Sequence, residues 1–247
     1  MPPQSVATPQ CHHNPQVNCA DCRLAAICLP ISLHVDDISK LDDIIQRGRP
    51  VQKADHVYHA GEVFKSVYAL RSGAIKTVRV THDGQEQVTG FYLPGEMIGM
   101  DGLASNHHTN SAIALETSAV CEIPFSRLEE LSAQIPNLQR RFFQLMSKEI
   151  TQEQQLITLL SKNSADERIA SLLLSISTRN NNRGLSAKEF YLPMSRSDIG
   201  NYLGLTIETV SRVLSRLHKQ EVITLDKKHV IISDMDALKN IASISID

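Results

Sequence analysis

Cys19, Cys22 and Cys28 set three thiols within ten residues, in a Cys-x2-Cys-x5-Cys spacing that can surround a metal or a cluster from one irregular loop. Thiolates are soft ligands; zinc accepts four of them, and so does a [4Fe–4S] cluster. Spacing alone does not choose between the two, and unligated thiols are the third reading. A fourth ligand must come from elsewhere in the chain. Cys121, in the strand-like run SAVCEIP, is the available partner, so that binding would tether the loop to a β unit. Cys11, beside His12 and His13, is left over and reads as an unligated tail. The five cysteines form an odd set, which favours free thiols in a reducing cytosol over a disulfide framework.

A second chemistry is written between residues 196 and 219. Ile199, Leu203, Leu205, Val210 and Val213 are apolar where two crossing helices would bury them, Gly200 permits close approach, and Gly204 suits the positive φ that ends a first helix. Thr206 is positioned to cap the next helix, whose inner stripe is Val210, Val213, Leu214 and Leu217. Its outer face presents Glu208, Ser211, Arg212, Ser215 and Lys219, a mixture able to read base edges and hold phosphates. Arg212 can pair bidentately with guanine, Glu208 can accept from cytosine, and Ser211 is adaptable. Phosphates repel an acid, so Glu208 points either to base reading or to stabilisation of the helix N-terminus. Lys227 and Lys228 read as a wing that adds phosphate contacts or as surface solubility.

Four segments must position these groups. Residues 1 to about 30 have little periodic apolar spacing and read as an arm that a ligand could order. From Val51 to Pro124, short β-rich runs alternate with glycine turns, the pattern of a small barrel or jelly roll, with LDDIIQRG as a short helix leading in and Gly48 as its stop. From Pro136 the period becomes helical: Phe143, Met146, Ile150, Glu153, Ile157 and Leu160 recur at alternating spacings of three and four, the seam of a helix that pairs with a second copy of itself. A core helix packed on its own chain is the other reading. Glu153 breaks the seam, because pairing would bring two carboxylates together in a partly dry site. Beyond Ala165, ADERIASLLLSIS, SRSDIGNYLG and TIETVSRVLSRLHKQ read as helices and EVITLDKKHVIIS as a hairpin turning at Asp226, Lys227 and Lys228.

Composition narrows the function further. At 247 residues, 42% hydrophobic and 21% charged, the chain can bury a core and is long enough for two packed units. Its net charge of −2 excludes coating of nucleic acid by charge alone, leaving only a local interface. The apolar stretch Leu24–Leu33 falls short of the roughly 20 residues that a membrane span needs, and MPPQSVATPQ lacks the features of a secretory signal, so a cytoplasmic protein with no membrane partner is expected. His107 and His108, in the polar run SNHHTNS, read as surface rather than as a catalytic pair, and no enzyme is expected.

The segments CADCRLAAIC, ETSAVCEIPF, MSKEITQEQQ and DIGNYLGLTIETVSRVLSR together resemble the oxygen-responsive FNR regulators of the CRP/FNR transcription-factor family, over nearly the whole chain from Cys19. The resemblance implies an α+β fold: an N-terminal β-roll of the cyclic-nucleotide-binding jelly-roll type, a long dimerisation helix and a C-terminal winged helix-turn-helix. The expected division is a cysteine-rich cluster-binding arm at 1–30, a β-roll at 31–135, the helix at 136–163 and the DNA-binding unit at 164–247.

It further implies that Cys19, Cys22, Cys28 and Cys121 bind an oxygen-labile [4Fe–4S] cluster, which oxygen converts to [2Fe–2S] or removes. Glu208, Ser211 and Arg212 fall on the positions that read TTGAT-type inverted repeats in double-stranded DNA, bound by a homodimer. Glu153 would oppose dimerisation without the cluster, while Ile150 and its neighbours hold the dimer when it is present. RNA polymerase is the expected further partner, touched by the turn Thr81–Glu86 and by residues 71–75. Arg23 departs from the pattern by setting a cation beside the cluster, and Leu24 and Ile27 read as its shield. Asn110, Ser111 and Ala112 replace the arginine-bearing element with which the cyclic-nucleotide branch holds its phosphate, so no cyclic nucleotide is expected. The competing reading is a zinc-stabilised or cluster-free CRP-like transcription factor that answers another signal.

Overall fold

The computed structural model describes residues 17–242; Cys11 and its two histidines lie outside the described residues. From the N-terminus, turns carry Cys19 to Cys28 into a short 3-10 helix, Leu29–Ser32, followed by α1 (Val35–Ile44). The helix starts earlier than LDDIIQRG suggests and ends before Gly48. Gln46–Arg47 leaves it as β1, pairing with the strand that carries Cys121.

The roll follows as β2 (His56–Tyr58), β3 (Ser66–Ser72), β4 (Ile75–Val80), β5 (Glu86–Tyr92), β6 (Met97–Ile98), β7 (Ser111–Ala114) and β8 (Ala119–Pro124). Two antiparallel sheets face each other, one ordered β1-β8-β3-β6 and the other β2-β7-β4-β5. Tyr58, Leu70, Ile75, Ile98 and Ala112 meet in an apolar cluster that includes strands of both sheets. Residues at alternate positions of β3 and β8 serve a second core: Val67, Ala69 and Ile123 pack with Leu29, Leu41, Leu128, Leu138 and Phe142. The arm is therefore not ordered by a ligand alone. Leu29 is 1% exposed within this core and draws the cysteine loop onto it.

Two helices leave the roll, α2 (Phe125–Gln134) and α3 (Pro136–Lys162), the second opened by proline at its first position, where no backbone donor is lost. The C-terminal unit is α4 (Ala165–Asn182), β9 (Glu189–Tyr191), α5 (Arg196–Leu203), α6 (Ile207–Lys219), β10 (Ile223–Asp226), β11 (His229–Ile232) and α7 (Met235–Ile241). Strand β9 makes the hairpin a three-stranded sheet, a pairing too short to leave a periodic signal in sequence. Ser164 and Glu167 close a capping box at the start of α4, and Ser195 and Asp198 do so at α5. Arg168 ties the units together: its guanidinium donates to the Leu160 carbonyl at 2.8 Å, Asn163 at 2.9 Å and Leu203 at 2.9 Å, and so closes the C-terminal ends of both α3 and α5.

The C-terminal unit is docked on the roll. Asn201 of α5 accepts from the Val88 backbone N–H at 2.5 Å and donates to the Glu86 carbonyl at 2.7 Å, both on β5. Lys76 pairs with Asp198 at 2.7 Å, and Arg179 forks onto the Glu96 carboxylate while also donating to the Phe91 carbonyl at 2.6 Å. The rings of Phe91 and Tyr202 meet at 4.9 Å, so apolar contact backs the polar pairs.

His108 corrects the surface reading of the SNHH loop. It is 3% exposed, stacks on the Tyr58 ring at 3.9 Å and touches Phe64 edge-on at 5.5 Å. Its neighbour His107 remains exposed. Among the described residues, no helix is long and apolar enough to cross a membrane.

Candidate functional site

Cys121 sits on β8 with Ala69 of β3 opposite it on one side and Arg47 of β1 on the other. That register places a small side chain and a cation on either flank of the thiol. Across from it, backbone turns (Cys28 N–H to Leu24 O at 2.9 Å, Ala25 N–H to Cys22 O at 2.9 Å) curl the arm so that Cys19, Cys22, Cys28 and Cys121 line one cavity. Leu24, Leu29, Ile45, Leu70 and Ile123 complete its walls, with Arg71 the polar exception. Leu24 lines this cavity, whereas Ile27 does not and packs over Gly95 instead.

All four thiols are free, and burial sets the chemistry of Cys19, Cys28 and Cys121. It pushes Cys28 up to about 12 and raises Cys121 against the opposing pull of Arg47 and Arg71. Cys19 is raised by burial and by the Asp42 carboxylate. Without a bound cation these groups stay protonated, so loading must release protons. Among the described residues, no three His, Cys, Asp or Glu side chains are drawn together around a single ion. The cysteines line a cavity rather than converge on one point. An apolar cavity with four thiols and neighbouring arginines fits a polynuclear cluster, whose thiolates carry net negative charge.

Two further residues fix the loop's first cysteine. Asp42 accepts from the Cys19 N–H at 2.7 Å and pairs with Arg47, whose Nη2 lies 3.8 Å from the Cys19 sulfur. Neither is marked by spacing in the sequence. The cue is structural, since α1 stops at Ile44 and the turn into β1 folds Arg47 back over Asp42.

The helix-turn-helix assembles as anticipated. A Cβ on Gly200 would lie 2.6 Å from the Leu205 carbonyl oxygen, and Gly204 ends α5 at φ +63°. Thr206 caps α6 by accepting from the Thr209 N–H, and Val210, Val213, Leu214 and Leu217 are buried. Glu208 and Arg212 are exposed and Ser211 half-buried on the outer face, next to Ser215, Arg216 and Lys219. Arg196 donates to the Ser211 hydroxyl at 3.1 Å and Arg212 to the Thr209 hydroxyl at 3.1 Å, holding both side chains along the helix. The Glu208 carboxyl is held below the usual range by backbone hydrogen bonding at the helix start and by the Thr206 hydroxyl. Not every cation is available: Arg216 forks onto Asp166, and Lys228 donates to the Pro193 carbonyl at 2.8 Å.

Along α3, Phe143, Ile150 and Ile157 are exposed, 60%, 55% and 66%, so the stripe faces away from its own core. Met146 and Leu160 are half-buried beside it, and Glu153 is exposed among them. In the roll, the Asp101 carboxylate accepts from the backbone N–H groups of Thr109 and Asn110, each at 2.8 Å. An internal anion thus occupies the donors of the loop that carries Asn110 and Ser111.

Known proteins decide the lineage. Residues 49–134 match the model of the cyclic nucleotide-binding domain, and residues 167–241 that of the Crp-like helix-turn-helix domain. The chain is 50% identical over 235 residues to the transcriptional activator protein Anr of Pseudomonas protegens, covering 95% of this chain and 96% of that one. It belongs to the FNR/Anr family of transcriptional regulators. The fumarate and nitrate reduction regulatory protein of Escherichia coli K12 is 46% identical over 226 residues, 92% of this chain and 90% of the relative. The solved structure of FixK2 from Bradyrhizobium japonicum superposes with a TM-score of 0.75 at 29% identity, over 82% of this chain and all of that one. This FNR-family member is therefore a DNA-binding transcription regulator with a cyclic-nucleotide-binding-type roll and a helix-turn-helix, and not an enzyme.

Proposed function

We propose that this regulator senses oxygen through a [4Fe–4S] cluster held by Cys19, Cys22, Cys28 and Cys121, and that the loaded chain dimerises and binds TTGAT-type inverted repeats. The observation that supports this reading is the single apolar cavity that the four thiols share, three from the arm and one from β8. When bound, the cluster would supply an oxygen-labile cross-link between arm and roll, held by the three arm cysteines and Cys121.

The chain's own residues do the rest. Arg47 and Arg71 offset the thiolate charge, and Asp42 holds the backbone of Cys19. The arm grips the first turns of α3 through Leu29, and α3 presents Phe143, Met146, Ile150, Ile157 and Leu160 to a second copy, with Glu153 setting the threshold. Two α6 helices then enter successive major grooves roughly 10 bp apart. The units at 1–30, 31–135, 136–163 and 164–247 divide sensing, signal relay, pairing and reading between them. The protein works in the cytoplasm, RNA polymerase is its further partner, and the Asp101 carboxylate takes the place that a cyclic nucleotide's phosphate would need.

The test is anaerobic purification, then absorption spectra, iron and sulfide assay, and sedimentation before and after air. About four irons and four sulfides per chain, with a spectral change and dimer loss in air, are expected. A colourless zinc protein of unchanged oligomeric state would overturn the reading.

Base reading has its own test. Arg212→Ala should weaken binding to the inverted repeat by roughly 5- to 150-fold and flatten the preference at one base pair of each half-site. A titration against each substitution of the half-site checks it; a uniform loss across sequences would assign Arg212 to phosphate instead.

A further inference from the structure

The peptide that carries Cys28 is held from two sides. The Arg141 guanidinium, on the second turn of α3, donates from Nη2 to the Ile27 carbonyl at 2.8 Å and from Nε to the Cys28 carbonyl at 3.3 Å. Opposite, the Ile27 side chain lies so tightly over Gly95 of the β5–β6 turn that a Cβ there would come within 2.4 Å of it. Immediately downstream, Leu29 packs with Leu138 and Phe142 on the same turns of α3. Arg141 does not line the cysteine cavity, so its partner is backbone, not sulfur. Nothing in the local sequence marks it: it is the second of two adjacent arginines, the first of which is exposed.

We propose that Arg141 is a positioning residue that couples the cysteine loop to the dimerisation helix. A charged fork onto two consecutive carbonyls is a stronger and more directional restraint than a neutral hydrogen bond. It fixes where the Cys28 thiol stands against Cys121, and it transmits any displacement of that thiol to α3 only two residues before Phe143 opens the exposed seam. A seven-residue repeat running from Phe143 through Ile150 to Ile157 then carries a small shift at the start of the helix along the whole pairing face. The coupling half of this inference rests on the cluster reading above; the positioning half does not.

The experiment uses the full chain with Arg141→Ala, Arg141→Gln and Arg141→Lys. In metal-free, reduced protein, the rate of iodoacetamide labelling is followed at each cysteine by mass spectrometry. Losing two charge-assisted bonds should speed labelling of Cys28 about tenfold in the Ala and Gln variants, with Cys121 on β8 unchanged and Lys restoring most of the protection. Gln keeps the length of the stem and guards against a folding defect, checked by matching thermal melts. In anaerobically loaded protein, iron content should match the native chain while the gain in dimer association on loading falls about tenfold. Native-like labelling of Cys28 in Arg141→Ala overturns the positioning role, and a native-like gain on loading overturns the coupling. A native chain that loads no cluster overturns the cluster reading alone, since the labelling arm still decides Arg141.

Discussion

Cys121→Ser, purified without oxygen, is expected to be colourless, to hold well under one iron per chain where the native protein is expected to hold about four, and to bind its inverted repeat at least 100-fold more weakly. Three of the four thiols belong to one short loop and could gather a metal among themselves, but only Cys121 stands on the roll. Removing it leaves the loop's ligands without a fixed point. A serine hydroxyl is a poor replacement, because the site is buried and already disfavours the anionic form of the native thiol. The loss on DNA is larger than any single contact would explain, since a chain that no longer pairs forfeits the second half-site, and avidity commonly contributes factors of 10² to 10⁴. Iron assay and a gel-shift titration at fixed salt check both halves. Full iron content with unchanged DNA affinity would remove Cys121 from the site.

Glu153→Leu should do the opposite, giving a chain that is dimeric and binds DNA in air without any cofactor. Ile150 and Ile157 lie one turn to either side of Glu153, so its carboxylate is the charge within the exposed stripe. Its neighbour Glu149 is turned inward, hydrogen-bonded to the Tyr92 hydroxyl at 2.6 Å and raised chiefly by burial, and takes no part in the seam. Pairing two copies would bring two Glu153 carboxylates into a partly dry interface, a penalty of about 3 kcal/mol by analogy with unpaired buried charges. Converting that penalty into apolar contact tightens association roughly a hundredfold. Sedimentation of the aerobic protein over a concentration series gives the constant directly. An aerobic Glu153→Leu chain that remains monomeric at the native threshold would show that the seam is not governed by this residue.

Much of the molecule can be read from the order of its residues. The helix-turn-helix is legible because its constraints are local: Gly200, Gly204 and Thr206 each answer a steric or capping need within a few residues, and the buried stripe of α6 follows one helical period. The exposed apolar stripe of α3 is legible for the same reason. The four cysteines can be proposed as a set because few residue types bind metal, and their common cavity agrees with that choice.

What escapes the sequence is whatever depends on register or on distant packing. Arg47 reaches the site because β1 pairs with β8, yet a two-residue strand leaves no period to detect. The burial of His108 depends on Tyr58, some fifty residues earlier, and turns an apparently polar loop into part of the core. The carboxylate of Asp101 looks like surface charge until the Thr109 and Asn110 N–H groups are seen to point at it. Arg141 is hidden in the same way, since its partners are main-chain carbonyls more than a hundred residues away.

The clasp between Asn201 and β5 reaches beyond signalling. Strand β5 ends its sheet, so its outward N–H and carbonyl groups form an open edge of the kind on which foreign strands grow. The Asn201 amide meets Val88 N–H and Glu86 C=O much as one residue of an added strand would, and Arg179 of α4 takes the Phe91 carbonyl farther along the strand. While docked, the DNA-reading unit is therefore also the stopper on that edge, guarding the roll against the strand-by-strand aggregation that an open edge invites.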